Sequence, residues 1–189
     1  MKIYLATAAD TEEILQIYSW YISNTIFSFE LEVPSIHEYQ QRIEKYGKAA
    51  PWLVAKKENE IIGFAYASPH RGRAAYQWNR EVSVYVKDNY HGKGIAQQLY
   101  STLFELLKVQ GYANVLAGIV YPNAKSVKFH KKMGFQLVGR YRNIGHKFGA
   151  WRHVEWYELF LQTPNYVPSN ILSIAALKAS PIFQSKIHS

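Results

Sequence analysis

Six residues, His91-Gly92-Lys93-Gly94-Ile95-Ala96, stand where an alternating apolar strand gives way to an amphipathic stretch. Glycines ahead of a helix let an anion approach the backbone, and the first helical turn offers unpaired N–H groups at the positive end of its dipole. Gly92, Lys93, Gly94, Ile95 and Ala96 could therefore cradle a pyrophosphate with main-chain donors. A strand-to-helix turn that needs its glycines for geometry alone gives the same pattern. The run is not a Walker loop, because Lys93 is followed by Gly94 rather than Ser or Thr, and the three-glycine dinucleotide spacing fails. Upstream, Glu81 lies at a strand centre, where a carboxylate is costly unless paired or useful; a surface-facing Glu at a sheet edge is the plain reading. Arg71 and Arg73 flank Gly72 in a loop and could grip oxyanions bidentately, although two solvated loop arginines would look alike. The seven histidines show no His-x-His or His-Glu-x-x-His spacing, so no metal site is expected.

The elements that must position these residues are legible from periodicity. Residues 2–6 read as a strand, and Thr7 with Asp10 as a capping-box variant opening a helix whose stripe is Ile14, Ile17, Tyr18 and Tyr21. Ser35 and Glu38 form a second box, opening a helix that ends near Gly47. Strands are expected at 52–56 and 60–67, joined by the turn Lys57-Glu58-Asn59. A loop from Pro69 to Arg73 follows. Residues 80–86 alternate strictly, Val82, Val84 and Val86 on one face, Glu81, Ser83 and Tyr85 on the other. After the glycine run, Ile95, Leu99, Leu103, Leu106 and Leu107 line a helix, with Gly111 as its C-cap. A strand at 113–120, a helix capped by Asn123 and ending at Gly134, and strands at 135–145 and 151–161 complete the order. It describes an α/β (α+β) fold, a mixed central sheet flanked by helices. Thr-Pro-Asn-Tyr-Val-Pro-Ser-Asn, from Thr163, reads as a boundary between a domain at 1–162 and an extension at 163–189. That extension is expected to be loose apart from a short helix at 171–177.

The chain has 189 residues, enough for one domain with a sizeable core, and its 15% aromatic and 19% charged content argues against disorder. It has no cysteine, which removes disulfides, thiolate metal sites and cysteine nucleophiles. No apolar stretch reaches the roughly 20 residues of a membrane span. The start, Met-Lys-Ile-Tyr-Leu-Ala-Thr, does not read as a signal peptide. A soluble cytoplasmic protein with no membrane partner is expected. The net charge of +8 admits nucleic acid, a polyanionic small ligand or a merely basic surface. No run of five Lys/Arg occurs, so nucleic acid is not expected.

The glycine run, the Asn123 cap and Gly134-Phe135 resemble the coenzyme A half of the GNAT superfamily of acyl-CoA-dependent N-acetyltransferases, whose loop is Gln/Arg-x-x-Gly-x-Gly/Ala; His91 departs from its first position. From about Ile3 to Leu161 the chain is similar to phosphinothricin and methionine sulfoximine acetyltransferases. The likeness is carried by Pro51-Trp52-Leu53-Val54-Ala55, Ala65-Tyr66-Ala67, Arg71-Gly72-Arg73-Ala74-Ala75-Tyr76, Glu81-Val82-Ser83-Val84-Tyr85-Val86, Pro122-Asn123-x-x-Ser126-x-x-x-His130 and Gly145-His146-Lys147-Phe148-Gly149-Ala150-Trp151.

The resemblance implies acetyl-CoA as co-substrate, no metal, a small-molecule amine as acceptor and a homodimer. It places the general base on Glu81. It makes His130 a candidate proton carrier, because the family's usual Tyr position is Phe129 here. It assigns the backbone edge of Val84, Tyr85 and Val86 to the pantetheine amides, and Asn123 and Ser126 to the same arm. Lys93, Lys128 and Lys131 are candidates for the 3′-phosphate. Arg71, Arg73, Tyr76 and Lys147 would hold the acceptor's acidic groups, Phe29 and Glu30 would close the amine pocket, and Tyr85 would orient substrate or the tetrahedral oxygen. Without cysteine no acyl-cysteine intermediate can form, so direct transfer to the amine is expected.

Overall fold

A computed structural model of the chain describes residues 1–163 and 167–188. The first strand, β1 (Lys2–Leu5), leads through a 3-10 turn at Ala8–Asp10 into α1 (Thr11–Asn24). The Asp10 carboxylate accepts from Thr7 N and Oγ1, both at 2.8 Å. The expected box therefore exists, one turn ahead of the α-helix proper. A loop then reaches α2 (Ile36–Gly47), opened by Ser35 and Glu38: Glu38 N donates to Ser35 Oγ at 3.2 Å and Ser35 N to Glu38 Oε2 at 2.8 Å.

Next come β2 (Trp52–Lys57) and β3 (Glu60–Pro69), turned by Glu58 and Asn59 at φ 51° and 69°, a two-residue turn of the twist that hairpins favour. A 3-10 turn at Ala74–Tyr76 interrupts the loop before β4 (Asn79–Val86). Then follow α3 (Ile95–Gln110), β5 (Asn114–Tyr121), α4 (Ala124–Lys132), β6 (Gln136–Lys147) and β7 (Ala150–Phe160). The strands begin and end within two residues of their expected positions.

The sheet runs β1-β2-β3-β4-β5-β7-β6, with β4 and β5 parallel and the neighbouring pairs antiparallel. Strand alternation gives it two cores. Val82 and Val86 face α3, against Leu99, Leu103 and Leu107, while Phe64, Val54 and Trp52 face Ile14, Tyr18 and Ile22 of α1.

The extension expected to be loose differs from that expectation. It carries α5 (Ile174–Lys178) and α6 (Pro181–Lys186), and Leu177 is fully buried in the α3-side core. Leu172 N donates to Gln110 O, and His188 N to Ile3 O. Helices of five and six residues are too short to show a period and are held by tertiary contacts. Residues 164–166 of the expected boundary lie outside the described residues.

Candidate active site

The parallel strands β4 and β5 pair only at Asn79↔Asn114, Arg80↔Val115 and Glu81↔Leu116. Beyond Glu81 they part, and a cleft of about 760 Å³ opens between Val82–Val86 on one side and Ala117–Val120 on the other. Lys87 N donates to Ile62 O. By antiparallel alternation, the N–H and C=O groups of Tyr85 and Ser83 therefore turn to β3, and those of Val84 and Val86 turn into the cleft. This corrects the expectation for Tyr85, whose backbone belongs to the sheet. The Val86 carbonyl is also engaged: Tyr21 Oη donates to it at 2.6 Å and His91 Nε2 at 2.9 Å. Val84 keeps the open backbone edge.

His91, Gly92, Gly94, Ile95 and Ala96 line the cleft where α3 begins. Gly92 and Gly94 have φ of 76° and 79°, the left-handed region that side chains avoid. Lys93 is not in the lining; its ammonium sits over the Tyr90 ring at 4.8 Å. Lys128 lines the cleft and Lys131 does not. Lys125 and Lys132, unforeseen, line it with Lys128. Their spacing of three and four residues is the signal that puts all three on one helical face.

Asn123 Oδ1 caps α4 by accepting from Ser126 N at 3.1 Å, and both residues line the cleft. His130, two turns into that helix, is buried rather than on the surface. Its Nδ1–H donates to Ser126 O at 2.9 Å, and Nε2 lies 3.5 Å from Tyr100 Oη. Burial pushes its pKa below the ordinary histidine value. The neutral ring with its proton on Nδ1 leaves Nε2 bare, able to accept a proton rather than supply one.

Glu81, half-buried, stands at the crotch of the fork and lines neither this cleft nor the cavity beside it. Burial raises its carboxyl above the usual glutamate value, while His70 and Arg71 pull the other way. His70 Nδ1 lies 2.9 Å from Glu81 Oε1. Nothing in the pattern around residue 70 marks this partner; it follows from the β3–β4 register, which sets Ser68 opposite Glu81.

A second cavity of about 570 Å³ adjoins the first and shares Phe27, Tyr85, Gly118 and Val120 with it. Phe29, Ser28, Tyr141, Ile144 and Trp156 complete much of its wall. Burial keeps the Tyr85 phenol protonated by raising its pKa well above the ordinary value.

The expected acceptor cations are elsewhere. Arg71, Arg73 and Tyr76 are exposed and outside both cavities. Lys147 is 3% exposed, and its ammonium donates to Ile22 O, Ser28 O and Glu30 O at 2.7, 2.8 and 2.9 Å. All three of its N–H groups are spent on the backbone. It braces the loop that carries Phe27 and Phe29 instead of facing the cavity. Among the described residues no group of three or more His, Cys, Asp or Glu could hold a metal ion, and no helix is long and apolar enough to cross a membrane.

Residues 3–156 match the model of the acetyltransferase (GNAT) domain. Phosphinothricin N-acetyltransferase of Streptomyces viridochromogenes is 34% identical over 164 residues, 87% of this chain and 90% of that protein. The L-methionine sulfoximine/L-methionine sulfone acetyltransferase of Pseudomonas aeruginosa is 30% identical over 86% of this chain and 96% of its own. The crystal structure of a GNAT superfamily phosphinothricin acetyltransferase from Sinorhizobium meliloti in complex with acetyl-CoA superposes with a TM-score of 0.82. It is 30% identical, covering 88% of this chain and 94% of that one.

Proposed function

The chain belongs to the GNAT acetyltransferase family, and on that premise we propose that it acetylates the amino group of a small amino-acid-like acceptor such as phosphinothricin or methionine sulfoximine, with Glu81 as base. The protein is an N-acetyltransferase whose co-substrate is acetyl-CoA. The observation that carries the finer reading is the fork. Its crotch holds a carboxylate, its cleft has a free strand edge at Val84, and its mouth has a glycine turn beside Lys125, Lys128 and Lys132. A slender chain ending in phosphates fits that order of apolar walls, backbone groups and cations.

Acetyl-CoA supplies a thioester carbonyl; attack by the amine breaks its C–S bond and leaves an acetamide and the coenzyme thiol. An ammonium has no lone pair, so a base must first remove a proton, and Glu81 takes it directly or through one water. Its burial-raised basicity suits that step. Val84 holds the pantetheine by its main chain. Asn123 and Ser126 orient the same arm, the three lysines meet the phosphates, and Tyr85 offers a phenol beside the reacting carbonyl. Purified protein with acetyl-CoA and either acceptor should release free coenzyme A. Glu81→Gln should lower turnover at least about a hundredfold at neutral pH with acetyl-CoA affinity kept. Near-normal turnover in that variant overturns the base.

One observation favours a second acceptor. The second cavity is walled by Phe27, Phe29, Tyr141, Ile144 and Trp156 together with the acidic Glu30, and the loop arginines lie outside it. An amine with an apolar side chain fits those walls better than a doubly anionic one. A panel of acceptors run on wild type and Arg73→Ala separates the two: lost selectivity supports the acidic acceptor, and no effect the apolar one.

The homodimer finds support in β6. This outer strand of 12 residues exposes Leu137, Val138, Tyr141 and Ile144. A long apolar edge is a template for another chain, and a second copy is the proposed occupant. Sedimentation should give twice the chain mass, reduced to one by Val138→Lys. A cytoplasmic location goes with the use of acetyl-CoA.

A further inference from the structure

His70 makes the one hydrogen bond to the Glu81 side chain among the described residues, 2.9 Å from Nδ1 to Oε1. The His70 side chain is 15% exposed and that of Glu81 34%. The imidazole packs at steep angles to two rings, Tyr76 at 5.9 Å and 77° and Trp156 at 5.7 Å and 73°. These contacts restrict its rotation. An ionised carboxylate only accepts, so the shared proton sits on Nδ1.

We propose that His70 is a positioning residue for the transfer: its Nδ1–H holds Oε1 of Glu81, which leaves Oε2 as the oxygen that takes the proton of the amine. This rests on the reading of Glu81 as base. A free glutamate side chain samples several rotamers, and only those that aim an oxygen into the fork are productive. The bond selects among them. It also opposes burial, which on its own favours the protonated acid, a form that cannot act as base. In the step itself an N–H bond of the amine breaks and an Oε2–H bond forms, while His70 keeps its own proton throughout.

The other charged or titratable groups near Glu81 are few. Arg71 follows His70 on the same loop and acts on Glu81 through its charge alone. Tyr76 packs against the imidazole with ring centroids 5.9 Å apart. Glu158 lies in register two strands away, across Leu116. The hydrogen bond is the short-range influence among them.

Two variants separate position from packing. His70→Phe keeps a flat ring between Tyr76 and Trp156 and loses the donor. His70→Asn loses the ring and keeps an amide N–H close to where Nδ1–H stood. The titration of Glu81 is followed by 13C NMR in free protein labelled at the glutamate carboxyl, the resonance being assigned by its absence from Glu81→Gln. The acid limb of kcat/KM is measured with acetyl-CoA and methionine sulfoximine. In His70→Phe the Glu81 titration should move to higher pH, and kcat/KM should fall roughly tenfold at about pH 6 with the loss shrinking as pH rises. His70→Asn should restore most of both. Full activity of Glu81→Gln would sink the base reading and leave the NMR comparison to decide the contact by itself. A Glu81 titration unmoved in His70→Phe, or displaced further in His70→Asn than in His70→Phe, overturns the role of His70.

Discussion

The ammonium of Lys147 donates to the carbonyl oxygen of Ser28 at 2.8 Å, joining residues 119 positions apart. With Ile22 O and Glu30 O as its other acceptors, it ties the end of β6 to the loop between α1 and α2. Phe29 on that loop packs against Gly145, where an added Cβ would collide with its ring. The cavity proposed for the acceptor therefore has one wall held by a contact made wholly within the protein. Lys147→Met should leave three carbonyls underserved and cost about 2–4 kcal/mol of stability, since unmet buried acceptors cost roughly 1–3 kcal/mol each and do not add fully. The acceptor KM should rise and the acetyl-CoA KM should hold. Thermal melts and two-substrate kinetics check this; an unchanged melt with a raised acceptor KM would mean that Lys147 meets the substrate itself.

Tyr21 is the pin between α1 and the cleft. Burial pushes its hydroxyl pKa up to about 12, so it stays protonated and donates to Val86 O at 2.6 Å. Tyr21→Phe leaves His91 as the remaining partner of that carbonyl. Stability should drop by about 1 kcal/mol. The acetyl-CoA KM should rise a few-fold with the acceptor KM little changed, because the affected strand edge borders the coenzyme cleft.

Gly94 has open space where a Cβ would stand, so Gly94→Ala meets no clash in the free protein. Its φ of 79° still costs an alanine about 1 kcal/mol. The methyl would occupy the approach to the first turn of α3. Calorimetric titration should show coenzyme A binding weakened by roughly tenfold, well beyond what a melting shift of a few degrees explains.

Asp10 gives a stability prediction with a sign. Burial raises its carboxyl, but the bonds from Lys56 at 2.7 Å and from Thr7 outweigh it, and the pKa falls below the ordinary 3.8. A folded value below the unfolded one means that the contribution is complete above the unfolded pKa and is lost as pH falls through the folded one. Asp10→Asn should therefore cost about 1–2 kcal/mol at about pH 7, and the gap to wild type should begin to narrow only below about pH 4 and be largely closed at about pH 2. Melts across that range check it; a gap constant with pH would assign the effect to shape.

Most of the frame was legible before the structure. Capping boxes, the Val82-Val84-Val86 alternation and Gly47, Gly111 and Gly134 at the ends of α2, α3 and α4 are local signals, and they placed the strands of the sheet within two residues. The missed parts depend on register or on distant partners. His70 becomes the partner of Glu81 only once β3 lies against β4 with Ser68 opposite Glu81. Lys147 read as an acceptor-binding lysine through the family resemblance, and the sequence could not say that three carbonyls take up its ammonium. Lys93 and Lys131 were chosen by proximity in sequence, whereas Lys125, Lys128 and Lys132 are brought together by helical phase. Of the terminal helices, α5 overlaps the short helix expected at 171–177, whereas α6, shorter than two turns, gave no periodic signal.

The parting of β4 from β5 has a kinetic consequence for the backbone. On the β3 side, amides of β4 are locked in an antiparallel ladder and open only with the sheet itself. On the fork side, the Val84 amide has no strand to guard it, so in free protein its hydrogen should exchange with deuterium far sooner than that of Tyr85, the next residue along. Adding coenzyme A should slow Val84 toward its neighbour and leave Tyr85 where it was. The fork would thus appear in solution as a one-residue stripe of exchange that the ligand erases.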